Sequence, residues 1–223
     1  MKMLSFLKEK IKSELKKIKF QGKPAAILII TIFILIVPKY RRYFLDKSFL
    51  ENTLFLQVIF LIIIILFVFR EKLSDYGLGL GFKRRGLIFL GVFFIGYLPF
   101  LWLLSNNTSF IEYYKPQIIH IKAWQTFLYY ELNSFLNLFK TEFVFRGFLL
   151  FGLRKDLGDA NAIFIQVIPY SLLHVGKPEI ECYGSVMVGI ALGYLAIKTN
   201  SVWYGLFLHW ILSSLLVLVI LFP

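Results

Sequence analysis

Long apolar runs separated by short polar or basic connections organise almost the whole chain. The runs cover residues 25–37, 53–69, 87–104, 124–153, 160–173, 181–197 and 202–221. An α-helix needs about 20 mainly apolar residues to cross the hydrocarbon core of a membrane, and most of these runs approach or exceed that length. The pattern predicts an all-α, polytopic membrane helix bundle with seven transmembrane helices, or eight if the run 124–153 forms two.

The composition excludes a soluble globular protein. Hydrophobic residues make up 58% of the 223 residues and charged residues 17%, with a mean hydropathy of +0.73, whereas soluble domains carry roughly 25% charged residues. A soluble fold of this size could not bury so much apolar surface, but lipid can solvate it. We expect one compact membrane unit in three parts: a surface segment at 1–24, transmembrane helices at 25–119 and a functional core at 120–223.

Basic residues are concentrated at the N-terminus, and the net charge of the whole chain is +12. Eight lysines lie within the first 23 residues: Lys2, Lys8, Lys10, Lys12, Lys16, Lys17, Lys19 and Lys23. Among them, apolar residues recur at three- and four-residue steps: Leu4, Leu7, Ile11, Leu15 and Ile18. This pattern predicts an amphipathic helix on the surface of an anionic membrane, with a disordered basic tail as the alternative, and it gives no reason to expect nucleic acid as a partner.

The distribution of lysine and arginine between the connections indicates the orientation, because these residues favour the cytoplasmic side. The N-terminal lysines and the basic loop at 70–85 predict that both segments are cytoplasmic, while the basic cluster at 39–47 falls on the opposite side. The brevity of the chain favours a bacterial source. We therefore expect a protein of the bacterial inner (plasma) membrane with a cytoplasmic N-terminus.

The connection between the second and third runs is rich in glycine. Gly77, Gly79 and Gly81 stand at alternate positions, as in some phosphate-binding loops. No Lys-Ser or Lys-Thr follows them and no strand is predicted before them, so a phosphate-binding loop fits poorly. The spacing predicts a turn-rich connector.

Polar and ionisable side chains occur in the second half of the chain where lipid is expected. They are Glu142, Arg146, His174, Glu181, His209 and Ser213. A charged group at the centre of a membrane helix costs about 2.5–3.5 kcal/mol on insertion scales, so each needs an internal partner or a function. Taken singly, each has a structural explanation: a buried ion pair four residues apart, a hydrogen-bonded core histidine, or a carboxylate at a helix N-terminus.

Taken together, these side chains are the groups that a hydrolase requires. A carboxylate and a neutral imidazole can remove a proton from water as it attacks a carbonyl. A second imidazole with a polar neighbour can donate hydrogen bonds to the oxyanion that forms, and an arginine can keep a carboxylate ionised. The combination predicts a catalytic site at membrane depth.

Three short motifs in this region resemble those of the CAAX-protease and bacteriocin-processing family, which includes the Ras-converting CAAX endopeptidase. The segment 141–149, Thr-Glu-Phe-Val-Phe-Arg-Gly-Phe-Leu, resembles the family motif Glu-Glu-x-x-x-Arg. Residues 170–174, Tyr-Ser-Leu-Leu-His, resemble Phe-x-x-x-His, and residues 209–213, His-Trp-Ile-Leu-Ser, resemble His-x-x-x-Asn or Asp. The resemblance covers about residues 120–221 and implies a CAAX-protease-like transmembrane catalytic core.

The resemblance implies a role for each matched residue. Glu142 and Arg146 match the second glutamate and the arginine of the first motif. His174 matches the histidine that helps to activate water. His209 matches the histidine on the oxyanion side, with Ser213 in place of its Asn or Asp partner.

Thr141 departs from the family pattern, because it stands where the family has the first glutamate, its principal water activator. The segment 174–181, His-Val-Gly-Lys-Pro-Glu-Ile-Glu, resembles a variant second motif of one branch of the family. Its Gly-Lys-Pro break would let the chain fold back, and we hypothesise that Glu181 meets His174 and supplies the missing carboxylate. Glu142 shares this role or, in the alternative, performs it alone.

These features predict an intramembrane endopeptidase that hydrolyses a peptide bond of a membrane-associated substrate with glutamate- and histidine-activated water. The expected partners are membrane lipids and a peptide or protein substrate. Two other classes stay open. One is a non-catalytic CAAX-protease-like protein that acts in immunity or as a scaffold, and the other is a small transporter, although the chain has no internal repeat.

No cofactor is expected. Zinc held by His174, His209 and a glutamate is the alternative, but the chain has no His-Glu-x-x-His helix. Its single cysteine, Cys182, allows neither an internal disulfide nor a thiolate metal cluster. A metal-free site is therefore the preferred prediction.

Overall fold

The computed structural model describes residues 22–40 and 56–222, which form helices and turns with no strand. The all-α class predicted from the sequence is thereby confirmed for the described residues. The helices in chain order are α1 (Gly22–Tyr40), α2 (Leu56–Val68), α3 (Lys83–Ser105), α4 (Thr108–Ile118), α5 (Trp124–Glu142), α6 (Gly152–Leu157), α7 (Asp159–Leu172), α8 (Glu179–Thr199) and α9 (Trp203–Leu221). The predicted surface helix at 1–24 lies outside the described residues, apart from its last three positions, which begin α1.

Three helices in the described part of the chain are long and apolar enough to cross a membrane: α3, α8 and α9. α1 and α2 are also apolar but shorter, over Gly22–Ile36 and Leu56–Val68. Only 6% of the apolar window of α3 is buried, and Val92, Ile95 and Trp102 are 61%, 67% and 66% exposed. Apolar surface of this kind is stable against lipid, so the protein is an integral membrane protein.

The run 124–153 forms one continuous helix and not two. A π-helical segment, Phe143–Phe151, follows α5 directly and continues into α6. All nine residues of this segment are buried, and it packs against α7 and α8. π-Helical turns are rare and are frequent at functional sites. The segment lies at the centre of the bundle and carries Arg146.

A helix occupies the stretch between residues 105 and 120, for which the sequence predicts only a polar connection. This helix is α4, and Asn107 begins it by accepting a hydrogen bond from the Phe110 backbone N–H at 2.9 Å. Phe110 and Ile118 are 2% and 1% exposed and pack in one cluster with Val217 of α9. The apolar stripe is too short for the sequence pattern alone to separate this helix from a loop.

The glycine-rich connector docks on the corner between α8 and α9. Four consecutive backbone carbonyls accept hydrogen bonds of 2.7–3.0 Å from this corner: Gly77 O from Val202 N, Leu78 O from Trp203 Nε1, Gly79 O from Ser201 Oγ and Leu80 O from Tyr204 OH. Gly81 has a φ of 56°, and a Cβ atom on it would lie 2.0 Å from Thr199 O. The predicted turn-rich connector therefore also ties the first half of the chain to the segment that carries the site.

α1 is fastened to the middle of the bundle by a charged cluster. Lys23 Nζ lies 2.7 Å from both carboxylate oxygens of Glu71, and the Tyr76 hydroxyl donates to Glu71 Oε2 at 2.6 Å. The Lys23 ammonium also lies 5.6 Å and 5.7 Å from the ring centroids of Phe69 and Tyr76, and both rings stack on Phe148 of the π-helical segment. Partial burial acts to raise the pKa of Glu71, but the hydrogen bonds from Lys23 and Tyr76 outweigh it and hold this pKa below its ordinary value.

Candidate active site

A cavity of about 290 Å³ lies among α3, α4, α5, α8, α9, the last turn of α7 and the turn that precedes α8. Most of its wall is apolar or aromatic. The polar side chains in the wall are Tyr97, Tyr114, Tyr130, Ser134, Tyr170, His174, Lys177, Glu181, Ser185, His209 and Ser213. Four of the six predicted site residues thus share one cavity, and part of its wall comes from α3 and α4, outside the core expected at 120–223.

The turn between α7 and α8 presents His174 to the cavity. Gly176, with a φ of 92°, turns the chain before Pro178 leads into α8. His174 Nδ1 lies 3.0 Å from the backbone oxygen of Tyr170. Because a carbonyl oxygen only accepts, Nδ1 carries a proton, which leaves the lone pair of the neutral ring on Nε2. Burial and the charge of Lys177 hold the pKa of His174 below its ordinary value, so the ring is neutral at pH 7.

The Glu181 carboxylate lies beside this imidazole. Glu181 Oε1 is 3.9 Å from His174 Nε2, which exceeds a direct hydrogen bond. A water at a normal hydrogen-bond distance of about 2.8 Å from both atoms fits this separation. Oε1 also accepts from Lys177 Nζ at 2.6 Å, and Oε2 accepts from the Tyr114 hydroxyl at 2.6 Å.

Sequence reasoning missed both donors to Glu181. The contact with Lys177 could have been found, because the two residues are four apart at the start of a helix. Tyr114 lies 67 residues from Glu181, on a helix that the sequence pattern did not reveal, and no sequence signal connects the two.

Glu142 and Arg146 lie behind His209 and not in the cavity wall. Both side chains are 0% exposed. His209 Nδ1 lies 2.9 Å from Glu142 Oε1, and Arg146 Nη1 lies 3.3 Å from the same oxygen. The Arg146 guanidinium also stacks 4.1 Å from the ring centroid of Tyr170. Because an ionised carboxylate accepts from Nδ1, Nε2 is the ring nitrogen of His209 that is left to act in the cavity.

Thr141 and Ser213 stand at two of the positions where the sequence departs from the family motifs. Ser213 follows His209 by about one helical turn and lines the cavity. The Thr141 hydroxyl donates to the backbone oxygen of Asn137 in its own helix at 2.9 Å, and Thr141 does not line the cavity. The position of the first family glutamate therefore supplies no polar group to this cavity.

The side chains that were considered as zinc ligands are not grouped as a metal site. Within residues 22–40 and 56–222, no three His, Cys, Asp or Glu side chains come close enough to hold a metal ion. The Nδ1 atoms of His174 and His209 each contact a protein oxygen. The preference for a metal-free site stays a prediction.

Two histidines, a glutamate and a serine thus lie around one cavity of a helical membrane protein. Residues 123–215 match the family model described as type II CAAX prenyl endopeptidase, Rce1-like. The match spans 93 of the 223 residues and contains all six predicted site residues. It confirms the resemblance that the three motifs carry, and this segment is CAAX-protease-like. No curated protein and no solved structure gives a significant match.

Proposed function

We propose that the protein is an intramembrane endopeptidase that hydrolyses a peptide bond of a membrane-associated substrate. The observation that carries the proposal is the placement of His174, Glu181 and His209 in the wall of one cavity. Three separate elements deliver these groups: the α7–α8 turn, α8 and α9. The otherwise apolar and aromatic wall suits a peptide segment that enters from the membrane.

Water activation falls to His174 and Glu181. The lone pair on His174 Nε2 takes a proton from a water that Glu181 Oε1 also holds, and the hydroxide adds to the carbonyl carbon of the scissile bond. The C–N bond then breaks, and His174 returns the proton to the leaving amine. One water is consumed, and the products are a carboxylic acid and an amine, which at neutral pH exchange a proton to become a carboxylate and an ammonium group.

The oxyanion faces His209 and Ser213. When His209 carries both ring protons, Nδ1 donates to Glu142 and Nε2 donates to the oxyanion, with the Ser213 hydroxyl as a second donor. Arg146 keeps Glu142 ionised. We therefore assign water activation to Glu181 and make Glu142 a positioning residue, because its carboxylate is buried outside the cavity wall.

The setting of this reaction follows from the sequence. We expect the bacterial inner membrane with a cytoplasmic N-terminus, lipid around α3, α8 and α9, and a peptide or protein substrate as the partner. The proposed reaction uses no metal, so we expect the activity to survive dialysis against a chelator.

A non-catalytic role in immunity or as a scaffold is the second candidate, and one observation favours it. Both oxygens of Glu181 are already hydrogen-bonded, one to Lys177 and one to Tyr114. A carboxylate with a purely structural role would have the same two contacts. The presence of Thr141 in place of the first family glutamate also favours a non-catalytic role. The two candidates differ in whether the cavity hydrolyses a peptide.

The test is a cleavage assay with the purified protein in liposomes and a broad library of membrane-anchored and soluble peptides. His174→Ala and Glu181→Gln are expected to lower cleavage at least about a hundredfold, because each removes a group that handles the water proton. Glu179→Gln is the matched control, since this exposed glutamate lies in the same helical turn. Cleavage that survives both site variants overturns the mechanism. A folded wild-type protein that cleaves no peptide favours the scaffold.

A further inference from the structure

A tyrosine from outside the family-like segment touches the candidate water-activating carboxylate. The Tyr114 hydroxyl donates to Glu181 Oε2 at 2.6 Å, and both residues line the cavity. α4, which carries Tyr114, is itself fixed: Asn107 caps its start, and Phe110 and Ile118 are buried. The hydroxyl is therefore held by a rigid element.

The two oxygens of Glu181 have different surroundings. Oε1 lies 2.6 Å from Lys177 Nζ and 3.9 Å from His174 Nε2, whereas Oε2 is bound by Tyr114. A glutamate side chain has several rotatable bonds, and its carboxylate keeps one orientation only if both oxygens are held. With Oε2 held by Tyr114, Oε1 is kept on the side of His174.

We propose that Tyr114 is the positioning residue for Glu181: it holds the carboxylate so that Oε1 shares a water with His174. The catalytic consequence rests on the proposed endopeptidase function. The proposal makes α4 part of the active site, although α4 precedes the segment 123–215 that matches the family.

The preceding residue, Tyr113, provides a matched control. Tyr113 is 39% exposed, and its ring contacts the Tyr114 ring edge to face at 4.9 Å between centroids. Tyr113 is not among the residues that line the cavity within the described part of the chain. Tyr113→Phe and Tyr114→Phe each remove one hydroxyl from α4 and change nothing else in the covalent structure.

A melting experiment tests the contact without any assay of activity. Tyr114→Phe is expected to lower Tm by a few degrees in the wild-type background, because it removes a hydrogen bond to a charged group. In a Glu181→Ala background the same substitution is expected to have little effect, since its partner is gone. Tyr113→Phe should change Tm by the same amount in both backgrounds. An equal Tm loss for Tyr114→Phe with and without Glu181 overturns the proposal.

Kinetics test the positioning role. Tyr114→Phe is expected to lower kcat roughly ten- to a hundredfold with a much smaller change in KM. Tyr113→Phe should leave both kcat and KM unchanged.

The outcomes separate the two proposals. If Tyr114→Phe lowers Tm only when Glu181 is present but leaves kcat unchanged, the contact is structural and the positioning role is wrong. If the wild-type protein cleaves no peptide, the endopeptidase function is wrong. The Tm values of Tyr114→Phe with and without Glu181 still decide whether Tyr114 holds Glu181.

Discussion

His209 Nδ1 and Glu142 Oε1 lie 2.9 Å apart, and this contact joins α9 to the buried end of α5. The same carboxylate oxygen is 3.3 Å from Arg146 Nη1 in the π-helical segment. The imidazole is therefore held by one nitrogen, while its other nitrogen acts in the cavity. The orientation of a cavity-lining group is thus set by residues that have no contact with the cavity.

Replacing Glu142 tests this relationship. Glu142→Gln keeps an oxygen that can accept from Nδ1 but removes the negative charge beside the ring. We expect kcat to fall roughly ten- to a hundredfold with little change in KM, and Tm to fall as well because Arg146 loses its buried anion. Steady-state kinetics and melting of the same preparation check this. As a control, Glu112→Gln, on an exposed part of α4, should change neither kcat nor Tm. A wild-type kcat in folded Glu142→Gln protein would contradict the positioning role of Glu142.

Restoring the first glutamate of the family motif tests where the water-activating carboxylate is. Thr141 donates to Asn137 O and does not line the cavity. We expect Thr141→Glu to give no gain in cleavage and no rescue of Glu181→Gln, because the new carboxylate does not reach His174. The peptide-cleavage assay with single and double variants measures this. Recovery of activity in the double variant would contradict this prediction, because it would show that a carboxylate at position 141 can replace the one at Glu181.

Two glycines in the connector are predicted to respond differently to alanine. Gly81 has a positive φ, and a Cβ there would lie 2.0 Å from Thr199 O, so Gly81→Ala is expected to destabilise the protein by more than about 2 kcal/mol. Gly79→Ala is the control: its Cβ would meet Ser74 Cβ at 3.7 Å, an ordinary contact. Melting of both variants in detergent gives the comparison. Equal Tm values for the two variants would be evidence against the described docking of the connector.

The cluster of Lys23, Glu71 and Tyr76 predicts a pH-dependent contribution to stability. The pKa of Glu71 is lower in the folded protein than its ordinary value. The cluster therefore stabilises the fold fully above the ordinary glutamate pKa, and this contribution is lost as pH falls through the lowered value. The Tm difference between wild type and Glu71→Gln should be present at pH 7 and should shrink as the pH is lowered below about 4.3. A difference that is constant down to pH 3 contradicts the prediction.

The sequence was sufficient for the apolar helices, because lipid requires runs of a fixed minimum length and excludes polar interruptions. The pairing of His174 with Glu181 was also open to sequence reasoning, since the glycine and proline between them mark a local turn. Both conclusions depend on residues that are close together in the chain.

Features that depend on residues far apart in the chain could not be predicted from the sequence. Glu142 and His209 are 67 residues apart, and only the packing of α5 against α9 shows that the carboxylate orients the histidine and does not enter the cavity. The contact of Tyr114 with Glu181 could not be predicted, because the helix of Tyr114 is short and the two residues are 67 positions apart. The π-helical segment could not be predicted either, because its mostly apolar sequence gives no sign of how its backbone hydrogen bonds are spaced.

The docking of the connector has a consequence for the order in which the protein assembles. The carbonyl groups of residues 77–80 find their donors in residues 201–204, and Gly79 and Ser201 are 122 positions apart. During synthesis from the N-terminus, these four acceptors depend on solvent until most of the chain has left the ribosome, since unpaired buried carbonyls are costly. Closure of this corner is thus a late step of biogenesis.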